Sequence, residues 1–280
     1  MNASLLDGKA LASSLMNDIR QTVKKLPTKP GLAVVMLGDN DASRVYVQRK
    51  RDICGEVGIN SFAYDLPATT TQSELLMLID KLNQDHDVSG ILVQLPLPEH
   101  INSQAIIEAI NPNKDVDGFH PYNLGRLVQR HPTLRPCTPA GIMTLLDYYK
   151  LPLAGKHAVV VGASNIVGRP MALELLMAGC TVTICHSATL DLQYHVAHAD
   201  ILVTAMGCCN VIQSGWIKSG AVVVDVAMNR DAQGKLCGDL DFTKAATRAS
   251  WITPVPGGVG PMTIATLMQN TVQCYRLIHE

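Results

Sequence analysis

The sequence predicts an α/β protein of two domains, each a mainly parallel sheet covered by helices. Three observations carry that expectation. Short apolar runs of strand length alternate with segments of helical spacing, the pattern of successive βαβ units. The chain has 280 residues, 47% hydrophobic and 17% charged, enough for two cores. A loop-rich stretch at 113–136, holding Asp115, Asp117, Gly118, Pro121, Gly125, Pro132 and Pro136, interrupts the alternation and reads as a domain junction.

The elements follow in order. Leu11, Leu15, Ile19 and Val23 recur every four residues and predict a first amphipathic helix. Leu32 to Leu37 is a buried strand, ended by the turn Gly38-Asp39-Asn40. A helix is expected over 41–57, stopped by Gly58, and then a strand over Phe62 to Leu66. Leu75 to Leu82 carries helical spacing, Ile91 to Leu95 is a strand cut by Pro96, and Ile106, Ile107 and Ile110 mark a helix stopped by Asn111-Pro112. Beyond the junction, Thr138 as cap and Pro139 in the first turn start another helix. Strands at 157–161, 181–185, 201–205 and 221–226 alternate with helices near 165–178 and 190–198. Thr253 to Thr263 is too rich in Gly and Pro for strand or helix and predicts a rigid, ligand-facing loop. Thr263 to Ile278 reads as a closing helix.

Composition excludes several function classes. Lys+Arg number 23 against 24 Asp+Glu, a net charge of −1, so no basic field exists to hold nucleic acid or an anionic membrane. Aromatics at 4% are too few for base-stacking platforms. Apolar runs such as Ala158 to Val161 fall far short of the ~20 residues that span a bilayer. The first twenty residues lack the apolar core of a signal peptide. Eight cysteines form no CxxC, and the pair Cys208-Cys209 lacks ligand partners at zinc spacing. They read as reduced thiols of a cytoplasmic protein, and no metal site is expected.

Two groups of residues carry chemistry. The strand at 157–161 runs into Gly162-Ala163-Ser164-Asn165-Ile166-Val167-Gly168 and then a helix. Strand, glycine turn and helix N-terminus make a pyrophosphate site, since free N–H groups and the helix dipole face the anion. The spacing is G-x-S-x-x-x-G, and the ribose-reading segment His186-Ser187-Ala188-Thr189 is neither acidic nor basic. The loop therefore indicates a dinucleotide without selecting NAD or NADP. In the first half, Ser43, Tyr46 and Lys50 share one helix face, and Gln94 with Leu95 ends a strand where parallel sheets bind ligands. By spacing alone, Tyr46 and Lys50 also suit a half-buried and a solvated position, and Asp115 and Asp117 suit a turn.

The combination is more specific than its parts. Ser43-x-x-Tyr46-x-x-x-Lys50, Gln94-Leu-Pro-Leu-Pro98, Lys114-Asp-Val-Asp117-Gly, Pro136-Cys-Thr-Pro139, Gly162-Ala-Ser164 to Gly168 and Pro254-Val-Pro-Gly-Gly-Val-Gly-Pro-Met-Thr263 occur in this order. Together they resemble the bifunctional methylenetetrahydrofolate dehydrogenase/cyclohydrolase family over essentially the whole chain, in its short bacterial form without a synthetase domain. The resemblance implies oxidation of 5,10-methylenetetrahydrofolate to 5,10-methenyltetrahydrofolate with NADP, then hydrolysis to 10-formyltetrahydrofolate, in one-carbon metabolism and purine biosynthesis. It implies an N-terminal αβα folate-binding domain (1–120 plus 263–280), a Rossmann-like NADP-binding domain (138–256), a junction at 121–137 and a cleft between the domains. A homodimer through the cofactor domains is implied as well. The catalytic candidates are Lys50, Gln94, Tyr46 and Asp117, with Ser43, Leu95, Pro256, Gly257 and Gly258 joining them around the substrate. Lys50 is the candidate base, Tyr46 the surface for the flat pterin and aminobenzoate system, and Asp117 the acceptor for pterin N–H groups. The cofactor candidates are Gly162, Ala163, Ser164, Ile166, Val167, Gly168, His186, Ser187 and Met228.

Four departures from the family's usual pattern fall on the cofactor side. Ala163 stands where many members have Arg, the basic residue that many members carry within His186 to Thr189 is absent, Gly207-Cys208-Cys209 replaces Gly-x-Pro, and Asp225-Val-Ala227-Met228-Asn229 replaces Asp-Val-Gly-Ile-Asn. They predict a modest preference for NADP over NAD. A shikimate-dehydrogenase-like oxidoreductase does not predict Gln94-Leu-Pro-Leu-Pro98 or the double-proline loop. A folate-binding protein without catalysis would have no need of a base at Lys50.

Overall fold

Two separate runs of parallel strand pairing organise the chain. The computed structural model describes residues 3–38, 41–209, 211–231 and 233–279, apart from the side chains at 41–43 and 45. The expected turn residues Asp39 and Asn40 lie outside it. The strands are β1 (Ser4–Leu5), β2 (Gly31–Leu37), β3 (Asn60–Leu66), β4 (Gly90–Val93), β5 (His157–Val161), β6 (Thr181–Cys185), β7 (Ile201–Thr204), β8 (Val222–Asp225), β9 (Asn229–Arg230), β10 (Leu236–Cys237) and β11 (Trp251–Ile252). The helices are α1 (Gly8–Val23), α2 (Asp41–Val57), α3 (Gln72–Gln84), α4 (Ser103–Ala109), α5 (Pro121–Val128), α6 (Cys137–Tyr148), α7 (Gly168–Met177), α8 (Leu192–Ala197), α9 (Phe242–Ala245) and α10 (Val259–His279).

One unit comprises residues 14–137 and 267–280. Its three strands are parallel in the order β3-β2-β4. Every residue of β2 is buried, as a central strand covered on both faces requires. The chain passes from β2 through α2 to β3 on one side, then through α3 to β4 on the other. The carboxyl ends of β2 and β4 thus form a topological switch, where such sheets take ligands. Helix α3 begins with a capping box, in which Glu74 N–H donates to Thr71 Oγ1 (3.2 Å) and Thr71 N–H to Glu74 Oε2 (2.8 Å). Its inner face puts Leu75, Ile79 and Leu82, all fully buried, onto Val35, Ile91 and Val93 of the sheet.

The other unit comprises residues 1–13 and 138–266. Among the described residues its sheet has six parallel strands in the order β1-β11-β8-β7-β5-β6. The order reverses beside β5, so the loop after Val161 also stands at a switch point. Val159, Leu202, Val223 and Ile252 supply much of the core. β9 and β10 form a small antiparallel hairpin apart from this sheet.

Several expectations are corrected. The first 13 residues group with 138–266 rather than with the N-terminal half, because Ser4 and Leu5 pair in parallel with Trp251 and Ile252. Residues 121–137 belong with 14–137 and hold a helix, α5, where a junction was expected. His120 Nδ1 caps it by accepting from Tyr122 N–H (3.0 Å), and Pro121 occupies the first turn. Helix α10 begins at Val259, four residues before the expected start, so Gly260 and Pro261 lie in its first turn, where proline is tolerated. Helix α6 starts at Cys137, and the Thr138 hydroxyl lies 3.0 Å from that of Thr263 instead of capping. Among the described residues no helix is long and apolar enough to cross a membrane.

Candidate functional site

Lys50 projects from α2, where its side chain is 6% exposed. Its Nζ donates to Gln94 Oε1 at 3.1 Å and lies 4.6 Å from the centre of the Tyr46 ring. Gln94 follows the last residue of β4. Its backbone N–H donates to Val35 O (2.8 Å) and its Nε2 to Leu95 O (2.7 Å), so its orientation leaves Oε1 for the lysine. Burial pulls the Lys50 amine below its ordinary value, against the upward pull of Asp117, Cys137 and Cys54. Gln94 bonds the amine without adding a charge that would raise it again. The Tyr46 hydroxyl is pushed up by burial and then by Cys137 and Asp117, which keeps it neutral. The result is a buried amine poised to exchange a proton, beside a flat aromatic face.

The two aspartates of the 114–118 turn differ in role. Asp115 accepts from Gly118 N–H (3.0 Å), His120 N–H (2.8 Å) and Asn123 Nδ2 (2.9 Å), so it builds the turn. Asp117 keeps some exposure, yet burial pushes its carboxyl up to about 6; Lys50 opposes the rise and Asp115 adds to it. Lys50, Gln94, Tyr46 and Asp117 thus all fall in one unit and interact. Leu95 is half-buried beside Gln94. Ser43 lies on α2, but its side chain is outside the described residues. Pro256, Gly257 and Gly258 belong to the other unit. There Gly257 has φ +111°, and a Cβ on Gly258 would sit 2.7 Å from Pro254 O.

Sequence reasoning missed Asn270. Asn270 is buried on α10, and its Nδ2 donates to Val116 O (2.8 Å) and Arg135 O (2.9 Å) and approaches Cys137 Sγ at 3.5 Å. Cys137 in turn donates to Val116 O (3.1 Å) through its thiol and to Asp117 O (3.2 Å) through its N–H. One amide therefore holds both ends of the segment that carries Asp117. An asparagine in an apolar stretch of helix was the available signal.

The glycine loop lies between β5 and α7. Gly162 has φ +126°, open to glycine and strained for other residues, and a Cβ there would strike Ala205 O. A Cβ on Gly168 would strike Gly162 O, so only glycine allows the helix start to approach the strand end so closely. Ser164 Oγ accepts from Val167 N–H (3.2 Å) and Gly168 N–H (3.3 Å) and shapes the turn. Ala163, Ile166 and Val167 are half-buried along it. After β6, His186 and Ser187 are exposed; His186 N–H donates to Thr189 Oγ1 (2.8 Å) and its Nδ1 accepts from Ala188 N–H (3.2 Å). Met228, between β8 and β9, is 53% exposed. This narrow strand-to-helix cradle fits a dinucleotide pyrophosphate. Among the described residues no cluster of three or more His, Cys, Asp or Glu is placed to hold a metal ion.

The family model for the tetrahydrofolate dehydrogenase/cyclohydrolase catalytic domain matches residues 6–117, and that for its NAD(P)-binding domain matches residues 136–279. The chain belongs to this family. Among solved structures, it is similar to the bifunctional methylenetetrahydrofolate dehydrogenase/cyclohydrolase of Campylobacter jejuni, at 49% identity and TM-score 0.94, with 99% of each chain covered. It is also similar to the Trypanosoma brucei N5,N10-methylenetetrahydrofolate dehydrogenase-cyclohydrolase complexed with NADP and an inhibitor, at 36% identity and TM-score 0.95 over 100% of each chain. A shikimate dehydrogenase from Aquifex aeolicus shares only the fold, at 12% identity and TM-score 0.55 over 91% of this chain and 99% of that one. In the tetrahydrofolate dehydrogenase/cyclohydrolase family, the buried amine and the glycine cradle fall in the segments matched as catalytic and NAD(P)-binding, respectively.

Proposed function

We propose that the chain oxidises 5,10-methylenetetrahydrofolate with NADP and hydrolyses the resulting methenyl cation to 10-formyltetrahydrofolate, with Lys50 as the base of the second step. The observation that carries the reading is the buried Lys50 amine, held by an uncharged Gln94 and set over the Tyr46 ring, within the segment matched as catalytic. Bound NADP would supply the acceptor for the hydride that leaves the methylene carbon. Gly162 to Gly168 would hold its pyrophosphate at the start of α7, with His186 and Ser187 towards the ribose and Met228 as a further cofactor contact. Tyr46 stacks on the pterin and aminobenzoate system, and Asp117 accepts hydrogen bonds from the pterin N–H groups. In the hydrolysis, neutral Lys50 takes a proton from the water attacking the methenyl carbon, and Gln94 Oε1 orients the amine.

The same reading takes Ser43, Leu95, Pro256, Gly257 and Gly258 as further substrate contacts. It also takes the enzyme as a homodimer joined through its cofactor-binding units, working in the cytoplasm and supplying one-carbon units for purine synthesis. Support for these comes from the family resemblance. A modest preference for NADP over NAD follows from Ala163, Ser187 and Ala188, which offer no charge to a 2′-phosphate; neutral hydrogen bonds are about half as strong as charge-assisted ones. Steady-state rates with each cofactor test it. Ser187→Arg strengthens NADP use if this segment faces the ribose. A clear preference for NAD in the parent protein would overturn the cofactor assignment.

A further inference from the structure

Three cysteines outside the proposed reaction cluster at one edge of the cofactor-binding unit. Cys209 Sγ lies 3.6 Å from Cys237 Sγ, and its thiol reaches Gly238 O at 3.5 Å. Both residues are partly exposed and line a cavity of about 870 Å³, while Cys208 beside them is exposed. The elements they join are already registered. Asp239 accepts from Met206 N–H (2.8 Å) and Cys208 N–H (2.8 Å) on the loop after β7, and from Asn229 Nδ2 (3.0 Å) on the hairpin. Asn229 is the cross-strand partner of Cys237. One carboxylate thus fixes the spacing of the two thiol-bearing segments.

We infer that Cys209 and Cys237 form a reversible disulfide on exposure to a low-molecular-weight disulfide, and that the bond clamps the loop after β7 to the β9–β10 hairpin. Covalent S–S bonds are about 2.05 Å long, so closure from 3.6 Å moves the sulfurs by about 1.5 Å. That is within reach of side-chain rotation and a small loop shift. The chemistry balances. A thiolate of the pair attacks the small disulfide, one small thiol leaves, the second protein thiolate attacks the mixed disulfide, and the second small thiol leaves. The protein loses two protons and two electrons, and the small disulfide gains both. In a reducing compartment such a bond is transient, which suits a sensing role.

The consequence rests on the dehydrogenase reading. The clamped loop follows the carboxyl end of β7, and Met228 adjoins the hairpin, so the bond alters the cofactor side and spares Lys50, which belongs to the other unit.

The test treats the full-length protein with oxidised glutathione and maps linkages by peptide mass spectrometry. The expected product is an intramolecular Cys209–Cys237 link with loss of two hydrogens, retained in Cys208→Ser and lost in both Cys209→Ser and Cys237→Ser. The KM for NADP shifts on oxidation and returns with dithiothreitol, while hydrolysis of supplied methenyltetrahydrofolate, which needs no NADP, stays constant. A link that survives in Cys237→Ser, or glutathione held on Cys208 with no link, overturns the site. A link that leaves the KM unmoved overturns the clamp. Failure of the reduced protein to turn over NADP at all would instead count against the dehydrogenase reading.

Discussion

Asp117→Asn separates the energetic strain of the site from its chemistry. Burial raises the Asp117 carboxyl from 3.8 to about 6 in the folded protein. The sign follows from proton linkage. Between those values the folded state binds more protons than the unfolded state, so stability declines as pH rises from 4 towards 6 and stays lower above. Two units at about 1.4 kcal/mol each set an upper bound near 3 kcal/mol. That shift already includes the opposing attraction of Lys50, and solvent screening at the partly exposed Asp117 reduces the bound. Asparagine keeps the shape without the ionisation. Asp117→Asn should therefore be more stable than the parent at pH 7 by about 1–2 kcal/mol, with the difference closing near pH 4. Urea unfolding midpoints from pH 4 to 8 measure it. Both activities should weaken together, chiefly through a higher KM for folate, because the carboxylate acceptor is gone. A variant less stable than the parent at pH 7, or a difference that does not change with pH, would refute the reasoning, since the ionised carboxylate would then be stabilised by the fold.

Two further changes probe the same unit. Gln94→Glu places a carboxylate against Lys50 Nζ and raises the amine's pKa, so the alkaline-rising limb of hydrolysis should move up by about one unit or more, read from its pH–rate profile. An unmoved limb would mean that Lys50 is not the titrating base. Asn270→Leu removes the donor shared by Val116 O and Arg135 O and should cost about 1–3 kcal/mol in unfolding free energy. It should also raise the KM for folate more than it lowers kcat; a change in kcat alone would place Asn270 outside the positioning of Asp117.

Much of this molecule is legible in its sequence where local pattern and burial agree. The strands 157–161 and 181–185 and the helix 41–57 occur at the expected residues, because the apolar run Ala158–Val161, the β-branched residues of Thr181–Ile184 and the stop at Gly58 are local signals. The two-residue strands β1 and β11 have no periodicity of their own and exist because the sheet supplies a partner. Helix α5 is hidden by Gly125 and by a proline that starts a helix as readily as it breaks one. In the site, helical spacing alone aligned Tyr46 with Lys50. The contact between Lys50 and Gln94 spans 44 positions, and that of Asn270 with Val116 spans 154. No spacing rule reaches so far, and only the resemblance of the ordered motifs brought Lys50, Gln94 and Asp117 together in advance.

The most direct test follows methenyl absorbance and NADPH together while parent and Lys50→Met proteins are supplied with methylenetetrahydrofolate and NADP. The parent should form NADPH while methenyltetrahydrofolate appears only transiently and passes to the formyl product. Lys50→Met should lose roughly 10²–10⁴-fold in hydrolysis, the usual worth of general acid–base help, so methenyltetrahydrofolate should accumulate in step with any NADPH it forms. Supplied methenyltetrahydrofolate should persist in the same variant. Hydrolysis by Lys50→Met at the parental rate, or no NADPH from the parent protein, would contradict the account.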